Sequence, residues 1–409
     1  MLALSDVLMC ATNAWLGSAL LACICACNAA GVSGPPGHMK PFGAHRDKDG
    51  DVLEIDGWPS THEFVSRYAT DRKRGKGRRV GTPFIVRQAA KEMPAWQKWR
   101  SDEQLLAEFG TDMDLGVEEG KKDGNKTHLD MSLKDFLGVY QRKNVYATGT
   151  LHPDMETHFR MPPFMFRGGL TRRLWDTNMW FSAGGTSSLI HADAFENVYC
   201  MFSGTKTWQI VSPEHRKVVN RIEMGWVPTP GYAKDKGWLI RHLDPVAMDL
   251  QRFPGWATVP YLNATLEAGD CMFLPSYWYH YVHSSVGRNL AVNFWFHPPL
   301  QSESGDVNMT PCAGDECFLL SDCDWEWRKP YNLEKDDDSQ VDFNGEGALT
   351  SCVKQQPLHS RLLSLESRFS VERKGDNVLH RLKLIEQKAL RAVHTKQPIM
   401  HRIAALEKV

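Results

Sequence analysis

The sequence predicts a mainly β protein, an antiparallel barrel or sandwich, with helices on either side of it along the chain. Between Asn144 and Phe296, short apolar runs alternate with Gly, Pro, Ser and Asn, a pattern typical of strands joined by turns. Helical patterns lie before this region and after Pro299. With 42% apolar residues, 14 Trp and 18 Phe among 409 residues, the chain can fill a large core without metal ions or disulfides.

The charge balance excludes several classes of protein. There are 48 Lys and Arg residues against 49 Asp and Glu residues, a net charge of −1. This composition is not that of a disordered chain, a collagen or a multi-span membrane protein, and it gives no general attraction to nucleic acid. Six basic residues lie within 72–79, together with two glycines and no aromatic residue. We interpret this run as a surface loop, and we expect no nucleic-acid partner.

Residues 1–30 predict a signal peptide or a membrane anchor. No charged residue lies between Asp6 and His38, and the apolar stretch 15–30 ends in small residues. Read as 7–32, the segment is also long enough to span a bilayer as an uncleaved anchor. A buried core helix is the alternative. We therefore expect the secretory pathway, with residence in the endoplasmic reticulum lumen or secretion, or else a single-pass membrane protein.

Cysteines and glycosylation motifs agree with passage through the endoplasmic reticulum. An even number of cysteines follows residue 30, which is compatible with disulfides, although the pairing cannot be deduced. They are Cys200, Cys271, Cys312, Cys317, Cys323 and Cys352. Acceptor motifs for N-glycosylation begin at Asn125, Asn263 and Asn308, which predicts a glycoprotein.

The region 31–82 is predicted to be a loop-rich leader. Its acidic run 47–51 is similar to a calcium-binding loop, but Val52 stands where such a loop needs glycine, so we interpret it as a solvated turn. The folded domain is predicted at 83–299. It opens at 83–90 with a short strand that leads into a turn, followed by helices at 101–110 and 132–141 that begin at serine. Six strands are then predicted, at 187–191, 198–202, 206–211, 271–274, 280–284 and 290–296.

The composition changes twice after residue 299. The acidic, cysteine-containing connector at 300–352 includes 13 acidic and 3 basic residues within 303–346. The segment 353–409 has 12 basic and 5 acidic residues, with apolar residues at helical spacing. It predicts two amphipathic helices broken near Gly375. They pack either on the barrel or on a second copy, which would make a homodimer.

A candidate metal site lies in the strand-rich region. His191 and Asp193 are two residues apart on a predicted strand, so both side chains face the same way. The His-x-Asp pattern occurs five times, but only His191 follows an apolar strand and precedes a long strand pair. A third ligand is expected on a later strand, at His280 or His283. These two are three residues apart and face opposite sides, so only one of them can reach the metal.

Several linked motifs resemble the JmjC-type iron(II)- and 2-oxoglutarate-dependent oxygenases, in particular the small JmjC hydroxylases. The likeness covers about 83–298. Its motifs are His191-x-Asp193, Asn197 six residues after His191, Gly204-x-Lys206, Pro275-x-x-Trp278-x-His280 and Asn293-Phe-Trp295. The resemblance implies a double-stranded β-helix, the jelly-roll or cupin barrel, and it selects His280 rather than His283 as the third ligand.

The same resemblance implies iron(II) and 2-oxoglutarate as cofactors. Iron(II) would be held by His191, Asp193 and His280. Lys206 would bind the C5 carboxylate of 2-oxoglutarate, assisted by Ser188 and Tyr146, while Asn197 and Asn293 would lie near the end that chelates iron. The alternative is that Lys206 binds no ligand and is a solvent-exposed lysine in a hairpin.

The implied activity is hydroxylation of a side chain in a protein or peptide substrate, with succinate and carbon dioxide as coproducts. N-methyl demethylation is the alternative reaction, which we favour less because no histone-reading module accompanies the barrel. Two other hypotheses for the function are a non-catalytic JmjC-like scaffold that binds proteins and a metal-binding cupin that acts without 2-oxoglutarate. Specificity would come from loops such as 223–260, a candidate lid, and from the segment after Leu300.

Overall fold

A computed structural model describes most of the chain after residue 33. The described ranges are 34–70, 79–119, 127–166, 170–219, 226–228, 237–240, 242–299, 319–322, 358–372, 378–391 and 399–409. The predicted signal peptide or anchor, most of the basic run and nearly all of the acidic connector lie outside these ranges. Among the described residues, no helix has the length and apolar character needed to cross a membrane.

The described residues form sixteen strands and eight α-helices. The strands are β1 Gly50–Asp51, β2 Leu53–Glu54, β3 Phe84–Val86, β4 Asp114–Glu119, β5 Thr127–Ser132, β6 Val145–Thr150, β7 Leu174–Ser182, β8 His191–Asp193, β9 Glu196–Ser203, β10 Thr205–Val211, β11 Trp226–Pro228, β12 Gly237–Ile240, β13 Leu262–Glu267, β14 Cys271–Leu274, β15 Tyr279–Ser284 and β16 Asn289–Phe296. The helices are α1 Thr61–Glu63, α2 Pro94–Lys98, α3 Asp102–Phe109, α4 Leu133–Val139, α5 Arg216–Val219, α6 Leu358–Arg368, α7 Val378–Ala389 and α8 Ile399–Glu407.

The strands form two sheets, which confirms the predicted mainly β fold with a jelly-roll barrel at its centre. The smaller sheet has the order β1-β13-β10-β15-β8-β12-β11, and the larger has the order β2-β3-β14-β9-β16-β7-β6-β4-β5. Most neighbouring strands are antiparallel; the pairs β1-β13 and β2-β3 are parallel. The two strand orders show that strands distant in sequence are neighbours in both sheets.

The alternation of side chains along each strand separates two cores. On β9, Val198 and Phe202 pack into the core beneath the helices, whereas Tyr199 and Met201 face a second core. That second core includes Trp208 on β10 and so takes residues from both sheets. A period of two along a strand puts successive side chains on opposite faces. The interior-facing positions of β8, β9, β10, β15 and β16 can therefore meet inside the barrel.

A disulfide bond joins Cys200 on β9 to Cys271 on β14. The two residues are directly opposite each other in the antiparallel pair. Both are fully buried and belong to the core beneath the helices rather than to the barrel interior. Their pairing could not be deduced from the sequence, because it depends on which strands become neighbours.

The leader is more than loops. Its strands β1 and β2 each add an edge to one sheet, and Phe64, Val65 and Tyr68 enter the helix-covered core. The acidic run 47–51 is mostly exposed to solvent, as predicted, but it leads into strand β1 instead of forming a turn. One carboxylate oxygen of Asp49 accepts a hydrogen bond from Arg46, and the other accepts from the backbone N–H of Tyr261.

Two helices of the flank begin where the sequence predicts; α3 also ends there, whereas α4 ends at Val139, two residues early. The Ser101 hydroxyl accepts a hydrogen bond from the Gln104 N–H and caps α3, which ends at Gly110 with φ +79°. The Ser132 hydroxyl caps α4 in the same way, by accepting from the Asp135 N–H. Serine caps satisfy N–H groups that the first turn of a helix leaves unpaired.

The C-terminal segment forms three helices, so the prediction of two was wrong. A second break follows α7, where Arg391 has φ +53°, and α8 begins directly after Pro398. The three helices pack around a shared apolar core made of Leu362, Leu365, Leu382, Ile385, Ile403 and Leu406.

Ion pairs close this bundle into a ring. Each helix carries an Arg five residues before a Glu, and each Arg binds the Glu of a neighbouring helix. The pairs are Arg381–Glu366, Arg402–Glu386 and Arg361–Glu407. Helix α7 also contacts α3 of the barrel's helical flank, and α8 contacts the short turn Pro153–His158. The apolar faces of the helices are thus buried within one chain.

Candidate active site

The structure brings His191, Asp193 and His280 together inside the barrel. His191 and Asp193 lie on β8, and His280 is the direct cross-strand partner of His191 on β15. One potential ligand atom from each residue lies within 4.8 Å of the other two. The Asp193 Oδ2 and His280 Nε2 atoms are 3.8 Å apart. These three side chains would hold a single metal ion between them.

Both imidazoles are fixed by backbone carbonyls. The Nδ1 atom of His191 lies 2.9 Å from the carbonyl oxygen of Leu189, and that of His280 lies 2.9 Å from the carbonyl oxygen of Trp278. A carbonyl oxygen can only accept, so each Nδ1 carries the hydrogen. Each Nε2 therefore keeps the lone pair that a metal needs, and the ring orientation is set in advance.

Burial shifts the protonation of this cluster. It raises the pKa of the Asp193 carboxyl, although His191 pulls the value back. It also lowers the pKa of His280 well below the ordinary imidazole value, and the neighbouring His191 adds to this effect. A divalent cation stabilises an ionised carboxylate and requires neutral imidazoles. The cluster is therefore suited to a cation.

The donor set fits iron(II). Two imidazoles and one carboxylate on one side of an ion are typical of non-haem iron(II) oxygenases, and they leave coordination positions open for other ligands. Across the described parts of the chain, this is the one group of three or more His, Cys, Asp or Glu side chains close enough to share an ion. His283, the competing candidate, is exposed on the outer side of β15.

Lys206 is buried at the other end of the same interior. It is 2% exposed, and its Nζ donates a hydrogen bond to the Ser284 Oγ at 2.7 Å. On β10, Lys206 lies opposite Ser284 and Ile210 lies opposite His280. Four residues of strand span about 13 Å. The lysine side chain and an elongated anionic ligand could together bridge the distance to the three metal-ligand candidates.

The two predicted asparagines are hydrogen-bonded to each other. Trp180 Nε1 donates to Asn293 Oδ1 at 2.7 Å, and Asn293 Nδ2 donates to Asn197 Oδ1 at 3.0 Å. This arrangement occupies both ends of the Asn293 amide. It also fixes the Asn197 amide so that its NH2 group is the end left to face a ligand.

Ser188 and Tyr146 occupy different surroundings. The Ser188 hydroxyl accepts a hydrogen bond from the backbone N–H of Val282, so it supports the strand pairing and keeps its own O–H for another partner. Tyr146 is 3% exposed on β6, and its ring lies 6.1 Å from that of Trp180. Burial raises its pKa, with a smaller contribution from Glu118, so the phenol stays protonated and can donate.

Two interior aromatic residues were missed by the sequence reasoning. Trp208 is buried, and its ring centroid lies 5.5 Å from that of His280. Its indole N–H has no hydrogen-bond partner among the described residues. Tyr199 packs edge-on against Trp208 at 5.0 Å. Both follow a predicted site residue by two positions, Lys206 and Asn197 respectively, so strand alternation could have found them.

Part of the predicted lid pairs with the strand that carries the metal-ligand candidates. Strands β11 and β12 form a hairpin, and β12 pairs with β8, where Leu239 lies opposite His191. The rest of the described insertion is packed, with Leu243, Met248, Phe253 and Trp256 buried against the smaller sheet.

Comparison with known proteins relates this barrel to characterised families. Residues 77–302 match the family described as a cupin-like domain. The human bifunctional peptidase and (3S)-lysyl hydroxylase JMJD7 is 27% identical over 258 residues, covering 52% of this chain and 77% of that protein. The Arabidopsis thaliana lysine-specific demethylase JMJ30 is 24% identical over 241 residues, covering 55% and 52%. The Drosophila melanogaster Jumonji C domain-containing protein 5 is 27% identical over 264 residues, covering 60% of each chain.

Proposed function

Because this chain belongs to the cupin-like domain family, with JmjC proteins among its relatives, we propose that it is an iron(II)- and 2-oxoglutarate-dependent oxygenase that hydroxylates a protein side chain. The single observation that carries the proposal is the convergence of His191, Asp193 and His280 in the barrel that also buries Lys206. A scaffold would not need this combination, and a cupin acting without 2-oxoglutarate would not need the lysine.

Each predicted side chain has a task in this proposal. His191, Asp193 and His280 would hold iron(II), while Lys206 and the Ser284 hydroxyl would bind the C5 carboxylate of 2-oxoglutarate by charge-assisted hydrogen bonds. Tyr146 and Ser188 would assist with their O–H groups. Asn197, oriented by Asn293, would donate to the end of the cosubstrate near the metal.

The bound iron and 2-oxoglutarate would supply the oxidation, which yields succinate, carbon dioxide and a hydroxylated substrate. The protein's contribution is geometry and exclusion of water. Trp180, Trp208, Trp278 and Trp295 surround the interior with large apolar side chains. The buried setting keeps the hydrogen bonds of Lys206 and Asn197 strong, because little water competes for them.

Succinate formation tests the proposal. The full-length chain, reconstituted anaerobically with iron(II), is given 2-oxoglutarate and oxygen, and succinate is measured. We expect turnover by the wild type and by His283→Ala, whose side chain lies outside the barrel, and none by His191→Ala. Equal succinate from the wild type and His191→Ala would contradict the proposal. Stoichiometric iron without turnover on candidate peptides would favour the scaffold.

The reaction type is tested on the substrate. Demethylation remains the second candidate because the name of the relative JMJ30 includes that activity. A hydroxylase leaves one added oxygen atom on the peptide and releases no formaldehyde. A demethylase removes a methyl group and releases formaldehyde. Mass spectrometry of a lysine-containing peptide library, with and without N-methylation, separates the two outcomes.

We also propose residence in the secretory pathway. The uncharged apolar segment at 1–30 and the disulfide between Cys200 and Cys271 support it, since disulfides persist in oxidising compartments. Of the three glycosylation motifs, Asn263 lies on a strand between β1 and β10 with its Oδ1 buried, a poor acceptor position. N-terminal sequencing of the mature protein distinguishes cleavage near residue 30 from an anchor at 7–32.

The predicted homodimer through the C-terminal helices stays a prediction. Analytical ultracentrifugation of the full chain checks it directly.

A further inference from the structure

The loop that leads into His280 adopts a costly conformation. Strand β14 ends at Leu274 and β15 begins at Tyr279, and between them Tyr277 has φ +65°. A bulky residue in the left-handed region is strained, and such a conformation persists only where its surroundings impose it. The position of His280 therefore depends on what holds residues 275–278.

Three hydrogen bonds between described residues join this loop to other segments, and none of them is a regular strand pairing. The backbone N–H of Tyr277 donates to the carbonyl oxygen of Asp193 at 2.7 Å. The backbone N–H of Ser276 donates to Glu196 Oε2 at 2.9 Å. The indole N–H of Trp278 donates to the carbonyl oxygen of Gly81 at 3.1 Å. The loop that precedes one metal-ligand candidate is thus bound to the backbone of another.

Glu196 also reaches the leader. Its side chain is fully buried, and its second oxygen, Oε1, accepts from the backbone N–H of Thr70 at 2.7 Å. A buried carboxylate is stable only when its oxygens are well paired, and here the two backbone amides belong to segments that are distant in sequence. Glu196 therefore joins the leader to the loop that carries His280.

The leader also contacts the same loop at a second point. A side chain at Gly81 would bring a Cβ within 2.6 Å of the Pro275 Cβ, so the Gly81 backbone lies against the proline ring at a distance that only glycine permits. Thr70 precedes residues 77–302, the region that matches the cupin-like family. The contact to Glu196 therefore comes from outside the barrel's recognisable sequence.

We propose that Glu196 is a positioning residue for the metal centre, and that the leader residues Thr70 and Gly81 are part of the structure that sets His280 against Asp193. Glu196 lies on the outer side of β9, whereas its neighbour Asn197 faces the interior, so it acts through the loop and does not contact the metal. The inference rests on the proposed function only in taking the three side chains to bind a divalent metal.

The test measures metal binding rather than turnover. Cobalt(II) is titrated into the full-length chain and followed by its visible absorption. In Glu196→Gln, one side-chain oxygen becomes an NH2 group that faces a backbone N–H, so the loop loses one of its anchors. Changes to the groups that orient metal ligands commonly weaken binding about 10- to 100-fold, and we expect that loss here.

Asp270→Asn is the matched control. Asp270 is also a buried carboxylate that accepts from two backbone amides, those of Gln88 and Glu267, and it pairs in addition with Arg87. It lies at the end of β14 away from the ligand loop. Both variants should unfold at a lower temperature than the wild type. Only Glu196→Gln should lose cobalt(II) affinity, while Asp270→Asn should stay within about threefold of the wild type.

Two outcomes would overturn the positioning role: wild-type cobalt(II) affinity in Glu196→Gln, or an equal loss in both variants. Should Glu196→Gln not fold, Thr70→Pro removes the other backbone donor and keeps the carboxylate. The preceding Ala69, with ψ 153°, already has the extended conformation that a following proline requires. Thr70→Pro with unchanged cobalt(II) affinity would then reject the part assigned to the leader.

The two proposals fail in different ways. A wild type that binds cobalt(II) but makes no succinate would contradict the oxygenase activity and leave the role of Glu196 intact. A wild type that binds no cobalt(II) would overturn both.

Discussion

His191 and His280 are cross-strand partners on β8 and β15, with ring centroids 4.0 Å apart. The pairing register alone brings these two imidazoles together, because a shift of one residue would turn one of them out of the barrel. A second register, between β15 and its other neighbour β10, places Lys206 opposite Ser284. The metal-ligand candidates and Lys206 thus lie at two different positions along the strands of one sheet.

Replacement of Lys206 should weaken 2-oxoglutarate binding without affecting the metal. In Lys206→Met the side chain keeps nearly the same length but loses the charge that would pair with the cosubstrate. A hydrogen bond to a charged group contributes about 1.5–3 kcal/mol, so we expect KM for 2-oxoglutarate to rise about 10- to 100-fold. Cobalt(II) affinity should not change. Lys98→Met, on the helical flank, is the control, and an equal rise in both variants would contradict the assignment.

Asn293→Asp should disturb the site through Asn197. The substitution removes the NH2 group that donates to Asn197 Oδ1. The Asn197 amide would then turn its own NH2 towards residue 293 and present its carbonyl oxygen to the cosubstrate. We expect the affinity for 2-oxoglutarate, measured by tryptophan fluorescence, to fall about tenfold, the equivalent of one hydrogen bond. Trp180→Phe, which leaves the Asn293 amide in place, should have a smaller effect.

Breaking one ion pair of the C-terminal ring should cost much more than breaking a surface pair. Arg381 is fully buried and binds Glu366 through two hydrogen bonds. Arg381→Met leaves a buried carboxylate without its partner, which typically costs about 3–5 kcal/mol. Hydrogen exchange should show α6 to α8 opening while the barrel stays protected.

Two further variants check the explanation. Arg381→Met combined with Glu366→Met should recover most of the lost stability, because no charge remains buried. Arg67→Met breaks the exposed pair with Glu63, at 64% and 43% side-chain exposure, and should cost less than about 1 kcal/mol. A double variant as unstable as Arg381→Met alone would show that the charge is not the cause.

Acid should remove the stability contributed by Glu108. Although burial opposes it, hydrogen bonds from His158 and Lys98 lower the pKa of Glu108 from 4.5 to about 2. Trp99 donates to Nδ1 of His158, so the neutral imidazole donates from Nε2 to Glu108. A carboxyl group whose pKa is lower in the folded chain than in the unfolded chain stabilises the folded state at pH values above the unfolded-chain pKa. This stabilisation is lost as the pH falls towards the folded-chain pKa.

The measurement compares melting temperatures of the wild type and Glu108→Gln across pH. Above pH 5 the wild type should be more stable by about 2 kcal/mol. The difference should shrink as the pH falls from about 4.5 to about 2. A constant difference across this range would show that Glu108 does not titrate as described.

Several features of the fold and the site could be predicted from the sequence because they depend on neighbouring residues. A capping serine and a terminal glycine set the limits of α3, and a second serine caps the start of α4. The spacing of His191 and Asp193 puts both on one face of a strand whatever that strand pairs with. The choice of His280 over His283 came from the resemblance to a family, and the structure places the first inside the barrel and the second outside. The roles of these residues stay predictions until metal binding is measured.

Other features depended on contacts between distant segments. The pairing of Cys200 with Cys271 follows from the order of strands in a sheet. The count of C-terminal helices was wrong because apolar spacing continues across the break near Arg391, and the packing of three short helices around one core stabilises that break.

The sequence by itself determined which side chains share a face, since alternation along a strand and the turns of a helix are local consequences of backbone geometry. Only the tertiary structure decided that Glu196 connects the leader to the loop before His280. The backbone amides of Thr70 and Ser276, which donate to it, are far apart in the chain. No local pattern marks a carboxylate as the acceptor for backbone amides from elsewhere. The metal-ligand candidates are therefore recognisable in the sequence, whereas the support that positions one of them is visible only in the folded chain.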